Sequence, residues 1–496
     1  MEKIINKIRE NKKEIMLFMI ILFICTMLCS NLIQMHIASD TYNLIDLGYF
    51  EYPSQYFLKD ARIFSAMATY IAGILNLPYE IYIVAMEILA VIITSLSIYY
   101  MYKIVKNKIK MESNIKKLAI LASSFIVIFN CMSLEYLLYA EAPIMCLSVL
   151  LCILATKVFV NSKKYRYIKS LILIILATFC YQGAVNFFFS FSLFMILIDN
   201  DKNIKEKFKH ILLISSIIII SYLINIAGIY ICNLMINSEQ TRIKPNIVSK
   251  IIQIQKYFIH ILEIAIVNQF NLWPKGTILV SIGITTILIF FNKKTVKNLI
   301  RYIVFLIGAF GICIVPLIFL SSMSLEPRMS MSIGAIVGLS IIYILSITEK
   351  NSIIENLVII LTIAFFVWNS IHVIQIFSTH IATNKIDENI GKTIKYQIES
   401  YEKNTNNKIT KVAYYRDKNH RDFHYGWDFK YSSFSQRAFD NYFCIIEALN
   451  YYCNRKFEKV PMKEAIYNEY FANKDWDAYS PEQIVFKDDT MYICTY

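Results

Sequence analysis

The stretch IMLFMIILFICTMLCSNLIQMHIASD, residues 15–40, decides the class of this protein. Its first part, 15–35, is an apolar run longer than the ~18 residues a bilayer-spanning helix needs. It is too long for the apolar region of a secretory leader and lacks a small-residue cleavage site, so it reads as a retained helix. Such runs recur as far as LVIILTIAFFVWNSIHVIQIF (357–377), and hydrophobic residues make up 56% of the 496. The pattern predicts an all-α polytopic membrane protein of about 11 transmembrane helices. The spans fall at 15–35, 79–102, 117–132, 142–160, 168–182, 185–198, 211–236, 276–291, 299–321, 329–347 and 354–377. Spans 168–182 and 185–198 form a tight hairpin around YQGAVN.

Charge gives the orientation. With the N-terminus inside, the inner loops hold 25 Lys and Arg and the outer loops 8. The tail from 378 holds 17 basic and 17 acidic residues, so the net +13 belongs to the membrane region. This asymmetry is a topology signal and argues against nucleic acid as a partner. Segment 247–273 is helical in period but carries Gln253, Gln255, Lys256, His260, Glu263 and Asn268, so it reads as an amphipathic outer-surface segment. Residues 1–378 then form the membrane domain and 383–496 a small extracytoplasmic α/β domain. In that domain helices are expected within 387–403, 438–453 and 462–471, a strand at 409–415 and a terminal hairpin turning at Asp488-Asp489.

After residue 35 the chain enters an outer loop (36–78) with His36, Asp40, Asp46, Glu51, Asp60 and Arg62. The same side gathers Glu80, Glu135, Glu141, Gln182, Asn186, Arg242, Lys244 and Arg328. Acids and cations from distant parts of the chain thus share one face, where a general base and a phosphate-binding group could meet. Plainer readings stand beside this. Asp40 and Asp60 suit helix caps, Asp46 and Glu51 a solvated face, and Arg62 a snorkelling side chain. Glu87 lies inside a span and is a functional candidate, although a buried polar partner would also account for it. Trp273-Pro274 reads as an interface anchor.

Other signals carry less. DND (199–201) and DWD (475–477) match an Asp-x-Asp pattern but lack a nucleotide-binding domain around them. There is no Gly-rich phosphate loop. HRDFH (420–424) offers two histidines without further ligands, and nothing demands a metal or other cofactor. Eight cysteines lie in or beside spans, while Cys444, Cys453 and Cys494 leave room for one disulfide in the tail.

Four pieces resemble one family. They are SDTYNLIDLGYF followed by FLKDARIFSAM, then YAEAPIMCLSVLLCILA, LATFCYQGAVNFFFSFSL and SLEPRMSMSIG. Together they resemble the GT-C superfamily of membrane glycosyltransferases, and within it the phage-type bacterial O-antigen glucosyltransferases. Two positions depart from the family pattern: Ser39 precedes a lone Asp40 where two acids are usual, and Ala61 stands where glycine is common. The resemblance implies a polyprenyl-phosphate-hexose donor, a surface glycan acceptor and inverting transfer outside the bacterial cytoplasmic membrane. It implies Asp40 as general base, with Arg62, Arg328, Arg242 and Lys244 at the donor phosphate. Glu141, Gln182, Asn186, Glu80 and Asp60 would bind sugar or support the site, with Glu141 or Glu80 as alternative bases. The rival readings are an O-antigen or capsule polymerase and a lipid-linked sugar transporter or flippase. A transporter predicts polar residues through the middle of several spans.

Overall fold

The computed structural model describes residues 12–109, 113–162, 164–237, 254–267, 272–291, 295–315, 327–348, 352–416, 432–472, 474, 476 and 479–495. In chain order the helices are α1 (Lys12–Cys29), α2 (Ser39–Tyr52), α3 (Ile63–Ile74), α4 (Tyr79–Lys108), α5 (Asn114–Ile128), α6 (Ala142–Asn161), α7 (Arg166–Cys180) and α8 (Val185–Ile198). They continue with α9 (Ile204–Met235), α10 (Ile254–Val267), α11 (Thr277–Phe290), α12 (Thr295–Gly311), α13 (Met331–Ile347), α14 (Ile353–Thr405), α15 (Ile445–Cys453) and α16 (Glu464–Tyr470).

A helix covers each segment expected to span, but among the described residues only five are long and apolar enough to cross a membrane. These are α4, α6, α9, α13 with its preceding turn, and α14. The expectation of about 11 spans is therefore too high by this measure. For most of the others the reason is length, and for the 18-residue α1 it is the charges of Lys12, Lys13 and Glu14. The others run for 14 to 18 residues, and at 1.5 Å per residue a 15-residue helix is about 22 Å long, short of the ~30 Å hydrocarbon layer. The apolar run of α1 continues into a turn: the helix stops at Cys29 although the run continues to Met35. Large apolar side chains such as Ile74, Phe208, Ile307 and Ile360 lie exposed on the bundle, a surface that lipid solvates.

Close packing holds the bundle together, because lipid supplies no hydrophobic drive between helices. Gly334 and Gly338, one turn apart on α13, face α5. A Cβ on Gly338 would stand 2.7 Å from the Ser123 carbonyl oxygen and 2.5 Å from a Val127 methyl. The basic rim is laced at one end of the bundle. Lys108 and Lys202 hold Asp199 at 2.9 and 3.3 Å, and Lys116 holds Glu355 at 2.8 Å. The DND stretch is thus part of a structural clasp.

Helix α14 runs 53 residues without a break. A span and a separate tail helix were expected, but no Pro falls between 353 and 405 to interrupt the hydrogen-bond ladder. Its far half carries Ile390, Ile394 and Ile398, spaced four apart, into a second core beneath a four-stranded sheet. The strands are β1 (Lys411–Arg416), β2 (Glu458–Val460), β3 (Ile484–Lys487) and β4 (Thr490–Thr495), in the order β2-β1-β4-β3. β1 is parallel to β2 and to β4, with Lys411 opposite Glu458 and Thr490; β3 and β4 form the expected antiparallel hairpin. Val412, Met491 and Ile493 face α14 and α15, while Ala413, Tyr492 and Cys494 face Ile466 and Phe471. This is the period-two alternation of strands.

Three local readings change. Trp273 is buried and its indole nitrogen donates to Asn369 Oδ1 at 2.7 Å, so it is a core residue rather than an interface anchor. Asp46 is not simply solvated: it accepts from Asn450 Nδ2 at 2.9 Å and stands 3.8 Å from Lys456 Nζ. All eleven cysteines are buried free thiols, and no disulfide forms in the tail. In α10, Tyr257, Ile261, Ile264 and Ala265 are buried, while Gln255, Lys256 and Glu263 are exposed together with Phe258, Ile259, Ile266 and Val267. Arg242, Lys244, Gln253, Asn268 and HRDFH lie outside the described residues.

Candidate functional site

The end of the bundle opposite the clasp gathers acids and arginines from five separate pieces of chain. The first runs from a kink at Gly48 within α2 to Arg62. Gly48 has φ 79° and ψ 171°, a backbone open essentially to glycine alone, and bends the chain towards the short helix Leu58–Asp60. Ala61 then turns left-handed at φ 53° and presents Arg62 at the start of α3. The second piece, Leu134–Leu137, brings Glu135 and Tyr136, with Tyr139 just after. The third is Glu141, at the start of α6. The fourth is the Tyr181-Gln182 corner between α7 and α8, and the fifth is the turn Pro327–Ser330 with Arg328.

The two arginines stand around Tyr181. Arg62 Nη1 is 3.7 Å from Glu141 Oε1 and Nη2 is 3.7 Å from Asp60 Oδ2. Its guanidinium carbon lies 5.1 Å from the centre of the Tyr181 ring, a cation–π contact, and its Nε has no hydrogen-bond partner among the described residues. Arg328 Nη1 donates to Glu135 Oε2 and to Tyr139 Oη, each at 3.0 Å. Tyr136 Oη donates to the Arg328 carbonyl at 2.5 Å, and its ring packs edge-on against Tyr181. Ser433, from the C-terminal region, donates to the other oxygen of Glu135.

Burial orders these groups by depth. The side chains of Glu141 and Glu135 are 4% and 1% exposed, those of Arg62 and Arg328 17% and 19%. Glu135 and Glu141 sit behind the guanidiniums, while Asp60 and the half-buried Asp40 stand level with them. Arg328 acts on Arg62 as a like charge, but Asp60, Tyr181 and Glu141 outweigh it and favour the guanidinium's charge. Burial pushes the Glu141 carboxyl up to about 7. Arg62 opposes that rise and the nearby Asp40 carboxylate adds to it.

Asp40 is half-buried in the first turn of α2. It is not the cap: that position is Ala38, and no side chain caps the helix. Asp40 acts electrostatically on Glu141, Tyr52 and Tyr139, which places it beside the arginine pair. Asp60 does not cap α3, whose cap position is Arg62.

Gln182 and Asn186, expected at sugar hydroxyls, are struts. The Gln182 amide donates to the Asp60 carbonyl. Asn186 is buried; its Nδ2 donates to the Met329 carbonyl at 3.0 Å and its Oδ1 accepts from Tyr222 at 3.4 Å. One strut fixes the turn carrying Arg62, the other the turn carrying Arg328. Glu80 is exposed on α4, near Tyr49 and Tyr451.

Tyr139 and Tyr181 complete the arrangement without having been singled out for it, and Glu135, placed on this face by the sequence, is the partner of Arg328. The available signal was EYLLYAE (135–141), two acids six residues apart in an apolar loop, which burial obliges to find cations. Glu87 has His36 beside it, but neither of its carboxylate oxygens makes a hydrogen bond among the described residues. His36 Nε2 lies 3.5 Å from Glu87 Oε1, its Nδ1 lies 3.2 Å from His380 Nε2, and all three residues are buried.

No family model, curated protein or solved structure matches this chain.

Proposed function

We propose that the protein is an integral membrane glycosyltransferase of GT-C type, working with its sheet-bearing C-terminal region outside the cytoplasmic membrane. One observation carries this reading: two half-buried arginines stand in front of two buried carboxylates, beside Asp40, at one end of a membrane bundle. Cations backed by acids suit the phosphate of a lipid that arrives from the bilayer. The left-handed backbone at Ala61 suits the glycine common there in the family that the sequence resembles.

In the proposed reaction the donor is a polyprenyl-phosphate hexose, glucose being the first choice, and the acceptor a surface glycan. Asp40 takes the proton of an acceptor hydroxyl. The hydroxyl oxygen bonds to the anomeric carbon from the face opposite the phosphate, and the carbon–oxygen bond to phosphate breaks with inversion. Polyprenyl phosphate leaves with the electron pair, held by Arg62 and Arg328. Asp40 later returns its proton to water. Glu141, Glu135 and Asp60 aim the arginines, while Gln182 and Asn186 hold the turns that carry them.

The test is transfer of radiolabelled hexose from a synthetic polyprenyl-phosphate donor to surface glycan by protein in proteoliposomes. Asp40→Asn should lower the rate at least about 100-fold with unchanged melting temperature. Full activity in that variant rejects Asp40 as the base. Uptake or flipping of the lipid-linked sugar without transfer would favour a transporter, the reading that Glu87, His36 and His380 in a buried line would serve.

A further inference from the structure

A second site lies on the other side of α2. The far half of α14, α15 and the stretch Ile37–Asp46 enclose an open cleft of about 930 Å³. Its floor is a two-way clasp, with the Ile37 amide donating to Asn384 Oδ1 at 2.7 Å and Asn384 Nδ2 donating to the Ile37 carbonyl at 2.9 Å. Five cations line it (Lys385, Lys392, Lys395, Arg455 and Lys456) against three carboxylates, Asp46, Glu388 and Glu447.

Several of these charges are already used. Lys392 pairs with Glu388 at 2.5 Å, Arg455 with Glu402 at 2.6 Å, and Lys456 lies 3.8 Å from Asp46. Lys385 and Lys395 have no ion pair among the described residues. They lie ten residues apart on α14, about 15 Å along its axis. Tyr451 adds an aromatic ring, and Asn450 and Asn454 add amides. Cations spaced along a wall, with amides and an aromatic ring, suit a chain that carries both anionic groups and hydroxyls.

Height separates such a chain from a lipid headgroup. The apolar part of α14 ends near Phe377. Lys385 and Lys395 lie 8 and 18 residues further on, about 12 and 27 Å along the axis. The headgroup layer is only about 5–8 Å deep on each side. The cleft therefore opens into water, above the lipid surface.

We propose that this cleft is the docking site for a phosphate-bearing glycan chain, the acceptor of the transferase. The acceptor role rests on the glycosyltransferase reading; the binding does not. The two sites share α2, whose first turn holds Asp40 and whose next turns place Ile45 and Asp46 in the cleft. A chain bound there lies about 9 Å from Asp40 along the helix, near enough to deliver a hydroxyl to it.

The test is binding of a fluorescent glycerol-phosphate hexamer to the full chain in phosphatidylcholine nanodiscs, with no sugar donor present. The hexamer should bind, and about tenfold more weakly at 300 mM than at 50 mM salt. Neutral maltohexaose should bind at least about tenfold more weakly than the hexamer. Lys385→Gln with Lys395→Gln should lower hexamer affinity about tenfold, and Lys385→Glu with Lys395→Glu further, with melting temperatures showing both variants folded. Equal binding by the Gln variant and the wild type overturns the proposal, as does equal binding of maltohexaose. Displacement of the hexamer by phosphatidylglycerol in the nanodisc overturns it in favour of a lipid site. Because no donor is present, failure here leaves the transfer assay standing, and failure of transfer leaves this binding result standing.

Discussion

Replacing Glu141 by Gln tests the electrostatics of the arginine site. Burial holds this carboxyl at about 7 instead of 4.5, although Arg62 is 3.7 Å away. Below pH 4.5 it is protonated in both the folded and the unfolded chain. Between 4.5 and 7 the unfolded chain has released the proton while the folded chain keeps it. The folded state therefore loses stability as pH rises through that window, and above 7 the loss is complete. A gap of about 2.5 pH units at 1.36 kcal/mol each makes the loss about 3 kcal/mol. Gln keeps the volume and neutral polarity of the protonated acid. The stability of Glu141→Gln relative to wild type should thus swing by about 3 kcal/mol in favour of the variant between pH 4.5 and 8.

The assay is thermal unfolding of both proteins in one detergent across that range. At roughly 2 cal/mol/K of unfolding entropy per residue, 3 kcal/mol corresponds to about 3 °C if all 496 residues melt together, and to more if a smaller unit melts. Taking the difference between the two proteins cancels the titrating groups that do not act on Glu141, His36 among them. A difference that stays flat from pH 4.5 to 8 refutes the reasoning. It would mean that Glu141 ionises as an ordinary surface carboxylate and does not stand behind Arg62.

Other substitutions probe separate parts of the structure. Arg328→Ala strands Glu135, whose side chain is 1% exposed, and should cost about 3–5 kcal/mol by thermal melting, with Arg328→Lys in between. Gly338→Ala sets a methyl group 2.7 Å from the Ser123 carbonyl and should destabilise by about 1–3 kcal/mol. Gly311→Ala meets nothing within 4 Å and should stabilise α12 by up to about 1 kcal/mol. Burial keeps His36 neutral down to about 4 rather than 6.5, so its own contribution to stability should fall by about 3 kcal/mol as pH drops through that interval. The stability of His36→Gln relative to wild type should rise by about 3 kcal/mol from pH 7 to pH 4 in urea titrations.

Much of the site was legible because a helix carries its ends to opposite sides of a bundle. Sorting Lys, Arg, Asp and Glu by loop put Arg62, Glu141 and Arg328 in one group and Lys108, Lys116 and Asp199 in another. The structure brings together members of each group, around Tyr181 and in the basic clasp. The assignment of partners within a group was not legible. Gln182 and Asn186 bond to backbone carbonyls of Asp60 and Met329, residues 122 and 143 positions away, and no local pattern encodes such a distance. Trp273 likewise reads as an anchor beside Pro274 until Asn369 on α14 is seen to accept its proton.

The sequence by itself determined the class of the protein, the positions of its helices and the alternation of its strands. Those follow from hydropathy and from periods of 3.6 and 2, which are local properties of a chain in its solvent. It also determined that acids and cations would collect at one end. Only the tertiary structure decided how many helices are long enough to cross a bilayer and that α14 continues out of the bundle as the spine of the C-terminal region. It alone decided that β1 lies between β2 and β4, and that two buried acids stand behind two arginines. Those outcomes depend on which distant segments exclude solvent from one another, and burial is a property of the assembled fold rather than of any segment in it.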